Sequence, residues 1–341
     1  MKLDTSGIDR EQLCRFLNAE YGLHVTSATF LPQGEEAYGY VAEEPGGTRH
    51  FVRAQRAADV ATLESVFAVT GALRTECGLA PVVAPYPNRR GTFTCLHDGY
   101  VVAVFPFIAG ATAYELGLSD EGLVQAASLV RALHASAGCL GGRLVHRETF
   151  DNPFEAPILR ALRLTEVAEP RANAYQQRVR RLLADERADL LATLATMRRL
   201  RDEARRLEFD WVPTHGDPNL ANFLVDARGD LHLVDWGEVA LGPPERDLFF
   251  FTGERFEAFL ALYARATGTV RLHEPLFAFY TYRWTVQEIA DYTTRILFRN
   301  VDPDEDRHAW EELAPYLPIR HEAMQADLRA IGQVIRRVSA P

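Results

Sequence analysis

The chain has 341 residues, 47% hydrophobic and 25% charged, with a formal net charge of −10. That profile excludes a disordered chain and a small disulfide-stapled scaffold, and at roughly 150 residues per domain it predicts about two domains. The acidic balance argues against nucleic-acid binding, which needs a concentrated basic face, and no apolar run approaches the about 18 residues that span a bilayer.

Residues 1–20 are polar and helix-prone, with no basic-then-apolar leader pattern. Short β-prone runs follow at 25–33 and 37–43, joined by Gly34-Glu35-Glu36, and another begins at Arg49–Arg53 after the Pro45-Gly46-Gly47 turn. Apolar residues at Val60, Leu63, Val66, Phe67 and Leu73 mark one helix face within 54–75. Extended pieces are expected at 80–86 and 100–107. Together these describe a small antiparallel sheet carrying one helix.

From Ser119 onward the pattern turns helical. Residues 120–137 have an acidic start, an apolar stripe and Gly138 as a stop. Residues 154–208 predict two long helices. Strand-like runs return at 211–214, 223–225 and 231–234, and the last hundred residues read as aromatic-rich helix. The four cysteines, Cys14, Cys77, Cys95 and Cys139, lack CxxC spacing and are expected to be reduced thiols of a cytoplasmic protein. Lys2 is the only lysine, so arginine supplies every other fixed positive charge.

The chemistry concentrates in Thr214-His215-Gly216-Asp217-Pro218-Asn219-Leu220-Ala221-Asn222, followed by Leu231–Val234 and Asp235-Trp236-Gly237. Asp217 and Asn222 flank a turn and can converge, while Asp235 ends an apolar strand at a sheet mouth. An all-oxygen donor set of this kind suits a hard cation such as Mg2+. Taken singly, Asp217 could be a turn residue and Asn222 a loop residue; the combination argues otherwise.

His-x-Asp-x-x-x-x-Asn, with a strand ending in Asp-Trp-Gly thirteen residues beyond Asn222, resembles the kinase-like phosphotransferases that modify aminoglycosides, choline and homoserine. Tyr21-Gly22-Leu23, Pro244-Glu245-Arg246-Asp247-Leu248 and Tyr282-Arg283 are similar to stretches of its spectinomycin phosphotransferase branch, with Gly237 where that branch has an acidic residue. The resemblance covers about residues 10–320. It implies an α+β, two-lobed protein-kinase-like fold. An antiparallel-sheet nucleotide-binding lobe would span 1–106, and a mostly helical catalytic and substrate lobe 107–341.

The resemblance also implies roles. Asp217 would be the catalytic base, Asn222 and Asp235 the metal ligands, and His215 and Asn219 supports of the catalytic loop. Asp247 would be a structural anchor. The β3 lysine that grips nucleotide phosphates is replaced by Arg53, whose helix partner is expected to be Glu64, with Asp59 a weaker choice. Gly34 would let backbone approach the phosphates, and backbone at Phe105 and Phe107 would meet the base. Tyr282, Arg283, Trp284, Glu288 and Asp291 would face the acceptor, as aromatics and carboxylates suit an amine-bearing sugar-like molecule.

The implied activity is ATP- and Mg2+-dependent phosphorylation of a hydroxyl on a small molecule, an antibiotic in the first instance, by a monomer or weak dimer. A protein kinase acting on serine or threonine is disfavoured, as no APE-type activation segment follows Asp235, and two further alternatives stand beside it. One is a metabolic kinase for choline, homoserine or a similar compound. The other is a catalytically silent nucleotide-binding homologue, for which Arg53 is the argument.

Overall fold

A computed structural model describes residues 4–32, 37–56, 60–144, 146–167, 172–265, 271–300 and 303–338. The first helix, α1 (Arg10–Tyr21), starts where the Asp9 carboxylate accepts from Gln12 N and ends at Gly22, whose φ of 72° suits a residue without Cβ. Strands β1 (Ser27–Leu31), β2 (Tyr38–Glu43) and β3 (Arg49–Arg56) lead into α2 (Val60–Thr75). Then come β4 (Cys95–His97), β5 (Tyr100–Pro106), β6 (Gly110–Thr112), α3 (Ala113–Leu116), α4 (Asp120–His134) and α5 (Ala137–Leu140).

Three helices follow: α6 (Glu155–Leu164), α7 (Ala174–Asp185) and α8 (Arg187–Ala204). The chain returns to strand at β7 (Val212–Thr214), β8 (Phe223–Asp226), β9 (Leu231–Leu233) and β10 (Ala240–Gly242). It ends in helices α9 (Glu245–Leu248), α10 (Phe256–Ala264), α11 (Glu274–Thr294), α12 (Pro303–Leu313) and α13 (His321–Val338).

Two compact units emerge. One comprises Lys2–Arg147 and Trp211–Phe250, the other Glu148–Asp210 and Phe251–Pro341. The strand-rich segment around Asp217 thus groups with the N-terminal sheet, and residue 106 falls inside the first unit. In that unit the five strands β1-β2-β3-β5-β4 form an antiparallel sheet. Side chains alternate between its faces. Tyr40, Ala42, Val52, Ala54, Val102 and Val104 pack with Leu13, Leu17 and Tyr21 of α1 in one core. The intervening residues, Phe51 and Arg53 opposite Phe105 and Ala103, therefore occupy the other face.

In the second unit Ile158, Leu162, Val179, Leu183, Leu190, Leu194, Val286 and Ile289 share a helical core. The 154–208 stretch forms three helices rather than two, because Asn173 opens a new one with a reciprocal capping box to Gln176. Residues 80–86 touch β9 only through an isolated bridge at Val82, and the helix expected from residue 54 begins at Val60 because Ala54 is a strand residue. No helix among the described residues is long and apolar enough to cross a membrane.

The expectation of four reduced thiols is corrected. Cys77 and Cys139 form a disulfide, while Cys14 and Cys95 are free and buried. The sequence separation of 62 between the paired cysteines hides their meeting from any local spacing rule.

Candidate active site

The loop after β7 is held from beneath. Asp247 is fully buried, and its Oδ2 accepts from His215 N at 2.9 Å while Oδ1 accepts from Gly216 N at 2.8 Å. His134 at the end of α4 meets the same carboxylate at 3.0 Å. Burial raises the Asp247 carboxyl, but the hydrogen bond with His134 and the nearby positive charge of Arg246 outweigh it and hold the group below its ordinary range. Arg246, also buried, donates to Thr214 Oγ1 at 2.8 Å. Gly216 has φ of 93°, and a Cβ there would run into the Arg246 guanidinium, so glycine is required on both counts.

His215 is buried and aligned by two bonds: its Nε2 donates to Val234 O at 2.9 Å, and its Nδ1 accepts from Asp217 N at 3.2 Å. Those partners define a neutral ring, and burial accordingly lowers its pKa. Its ring also packs edge-on against Trp236 at 4.6 Å, and Trp236 Nε1 donates to Leu233 O. The imidazole thus links the loop to the end of β9.

Asp217 carries two amide donors, Asn219 Nδ2 on Oδ1 at 2.7 Å and Asn222 Nδ2 on Oδ2 at 3.0 Å. Burial pushes its carboxyl up to about 7, the hydrogen bond from Asn219 opposes that, and the charge of Asp235 reinforces it. Asn222 Nδ2 also donates to Asp217 O at 2.8 Å, which leaves Oδ1 as the amide atom available for a cation. Val234 N donates to Asn222 O at 3.0 Å, and this backbone bond sets Asp235 beside Asn222. Asp235 adopts φ 57°, ψ 68°, and its side chain is 56% exposed. The site brings Asp217 and Asn222 into contact, with Asp235 adjoining.

The oxygens of Asn222 and Asp235 fit Mg2+, which takes one or two protein ligands and completes its shell with water and phosphate oxygens. Among the described residues no three His, Cys, Asp or Glu side chains converge as an all-protein metal cage.

Arg53 projects from the sheet face opposite α1. Its Nη1 meets Asp235 Oδ1 at 3.2 Å and its Nη2 meets Gln55 Oε1 at 3.4 Å, while its buried Nε has no partner. An orphaned, buried guanidinium donor beside a carboxylate is suited to an anionic phosphate oxygen. The pairing with Glu64 is corrected. The Glu64 carboxylate accepts from Phe93 N (2.7 Å), Thr94 N (3.0 Å) and Thr94 Oγ1 (2.7 Å), and no ion pair joins it to Arg53. An acceptor already supplied with three donors gains little from a fourth.

Phe105 lies between Phe51 (6.2 Å) and Phe67 (5.5 Å, edge-on), and Phe107 lies under the Arg49 guanidinium at 4.4 Å. Gly34 and Asp59 fall outside the described residues.

On α11, Tyr282 is buried in the core. Arg283 Nη1 pairs with the buried Glu148 at 2.9 Å, and Tyr280 OH donates to the same carboxylate. Trp284 Nε1 donates to Tyr316 OH at 3.2 Å. Trp284, Glu288 and Asp291 are half-buried. Sequence reasoning missed His134 and Glu148 altogether, and named Arg246 only within the Pro244–Leu248 stretch, with no role. The one local signal for Arg246 was Gly216, a glycine where the loop must pass close to a bulky neighbour.

A five-stranded antiparallel sheet with one inserted helix, followed by a loop carrying Asp217 and Asn222 and an aspartate two residues beyond β9, defines the protein-kinase-like α+β class. A spectinomycin phosphotransferase in complex with ADP and spectinomycin superposes with a TM-score of 0.76 at 18% identity, over 91% of this chain and 94% of that one. An aminoglycoside phosphotransferase from Alicyclobacillus acidocaldarius does so with 0.59 at 15%, over 98% and 100%. In sequence, residues 27–286 match the model of the phosphotransferase enzyme family, and the chain belongs to that family. Protein StrN of Streptomyces griseus is 28% identical over 348 residues, covering 93% of this chain and 97% of StrN.

Proposed function

We propose that this phosphotransferase moves the γ-phosphoryl group of ATP to a hydroxyl of a small-molecule antibiotic in the cytoplasm. The carrying observation is the Asp217–Asn222 contact with Asp235 locked alongside through the Val234–Asn222 backbone bond. A spectinomycin phosphotransferase of the same fold, bound to ADP and spectinomycin, supports the acceptor class. Residues 1–106 are read as the nucleotide-binding lobe and 107–341 as the catalytic and substrate lobe.

Asp217 orients the acceptor hydroxyl and takes its proton as the oxygen bonds to phosphorus and the bridge to ADP breaks. Asn219 fixes the Asp217 rotamer, and neutral His215 fixes the loop backbone. Asn222 Oδ1 and Asp235 would hold Mg2+, which when bound neutralises phosphate charge. Arg53 adds a permanent positive charge and an unpartnered Nε–H toward the phosphates. Backbone at Phe105 and Phe107 is the proposed base contact. The half-buried Trp284, Glu288 and Asp291 of α11 are the residues proposed for the acceptor.

The test is ADP release from magnesium ATP in the presence of spectinomycin, other aminocyclitols and aminoglycosides, nucleoside antibiotics, choline and homoserine. Acceptor-dependent ADP and a phosphorylated antibiotic are expected. Turnover confined to choline or homoserine would replace the antibiotic reading, and none with any acceptor would oppose it.

A further inference from the structure

The one disulfide among the described residues joins Cys77, two residues beyond α2, to Cys139 in α5. Their Cα atoms are 5.7 Å apart, a separation a disulfide spans without backbone movement. Beside it Arg143 pairs with Glu76 at 2.9 Å, so the same two segments also meet in a second, non-covalent contact. Exposure sorts the four cysteines. Cys139 is exposed and Cys77 half-buried, whereas Cys14 and Cys95 are buried. A soluble oxidant or reductant therefore meets the first pair before the second.

We propose that Cys77 and Cys139 form a reversible thiol–disulfide site, oxidised by a low-molecular-weight disulfide, which braces the end of α2 against α5. The exposed Cys139 gives its proton to water and attacks one sulfur of the small disulfide. That S–S bond breaks, leaving a mixed disulfide on Cys139 and releasing one small thiol. Cys77 loses its proton and attacks Cys139 Sγ, closing the protein disulfide and releasing the second small thiol. Two protein thiols thus give up two electrons and two protons, and one small disulfide becomes two thiols.

The closed ring runs from residue 77 to 139 and takes in β4, β5, β6, α3 and α4. Of the helices flanking it, α2 carries Glu64, which holds Phe93 and Thr94, and α4 ends at His134 on Asp247, the residue that holds the loop of Asp217. Closing the ring limits how far α2 can depart from α4 in the unfolded chain and in partly opened states.

The full-length chain would be equilibrated with oxidised glutathione or with dithiothreitol, then denatured, labelled with a maleimide and mapped by mass spectrometry. Two labels, on Cys14 and Cys95, with a linked Cys77–Cys139 peptide are expected after oxidant, and four labels after reductant. The oxidised form should melt several degrees higher. A Cys77→Ser/Cys139→Ser variant should melt at one temperature in both conditions, while Cys14→Ser/Cys95→Ser keeps the difference. Four labels after oxidant, a glutathione adduct left on Cys139, or a redox-dependent melting temperature retained by Cys77→Ser/Cys139→Ser would each overturn the proposal.

Discussion

The guanidinium of Arg53 and the carboxylate of Asp235, 182 residues apart in the chain, form an ion pair at 3.2 Å. β3 and the end of β9 thereby present a cation and an anion to one point, where a magnesium nucleotide would bring both charges of its own. The Arg53 side chain is only 16% exposed, so water screens it less than it would a surface arginine.

Replacing Arg53 by alanine should leave Asp235 uncompensated and weaken magnesium ATP binding by about tenfold or more, read by titration calorimetry. Arg53→Lys keeps the charge but loses the fork that reaches Asp235 and Gln55 together. Its turnover should fall below that of the unchanged protein. A rise instead would mean that arginine handicaps this site.

Asp217→Asn should retain magnesium ATP affinity and lose turnover by about 10²–10⁴-fold, the range for removal of a general base. The amides of Asn219 and Asn222 would then face an amide rather than a carboxylate, so the loop should be checked by its melting temperature. Near-native turnover would remove Asp217 from the role of base.

Glu64→Ala deletes an acceptor that serves Phe93 N, Thr94 N and Thr94 Oγ1 at once. The half-buried donors left behind should cost about 1–3 kcal/mol of stability. Hydrogen exchange at the Phe93 and Thr94 amides should accelerate. Unchanged exchange there, with weakened nucleotide binding, would return Glu64 to Arg53.

Asp247 makes an acid-sensitive anchor. Its carboxyl is held below the ordinary 3.8 when folded, so the unfolded state binds the proton more readily. The stability it contributes is complete above that ordinary value and is lost as the pH falls through the lower native one. Asp247→Asn, which turns an NH2 toward a backbone N–H, should cost about 1–3 kcal/mol at pH 7, as expected when a buried donor loses its acceptor. Urea midpoints should also depend less on acid in the variant than in the unchanged protein. Parallel acid curves for the two would dismiss the anchor.

The antiparallel sheet, α2, α4 and the residues of the loop were legible from the chain, because alternation, helical spacing and the His215-to-Asn222 pattern are local properties, whereas the strand order and β4 were not. The paired cysteines and the true partner of Glu64 were not.

What the sequence by itself determined is an inventory: most of the elements, which oxygen donors cluster in one loop, and that Arg53 stands where the resembled family has its lysine. Tertiary structure alone decided the partners. It joined Arg53 to Asp235, Glu64 to Phe93 and Thr94, His134 to Asp247 and Cys77 to Cys139. It also placed Tyr282 in the core and Arg283 on Glu148. The reason is physical: neighbours along the chain reveal themselves through periodicity, whereas these pairs are made by sheet register and helix packing.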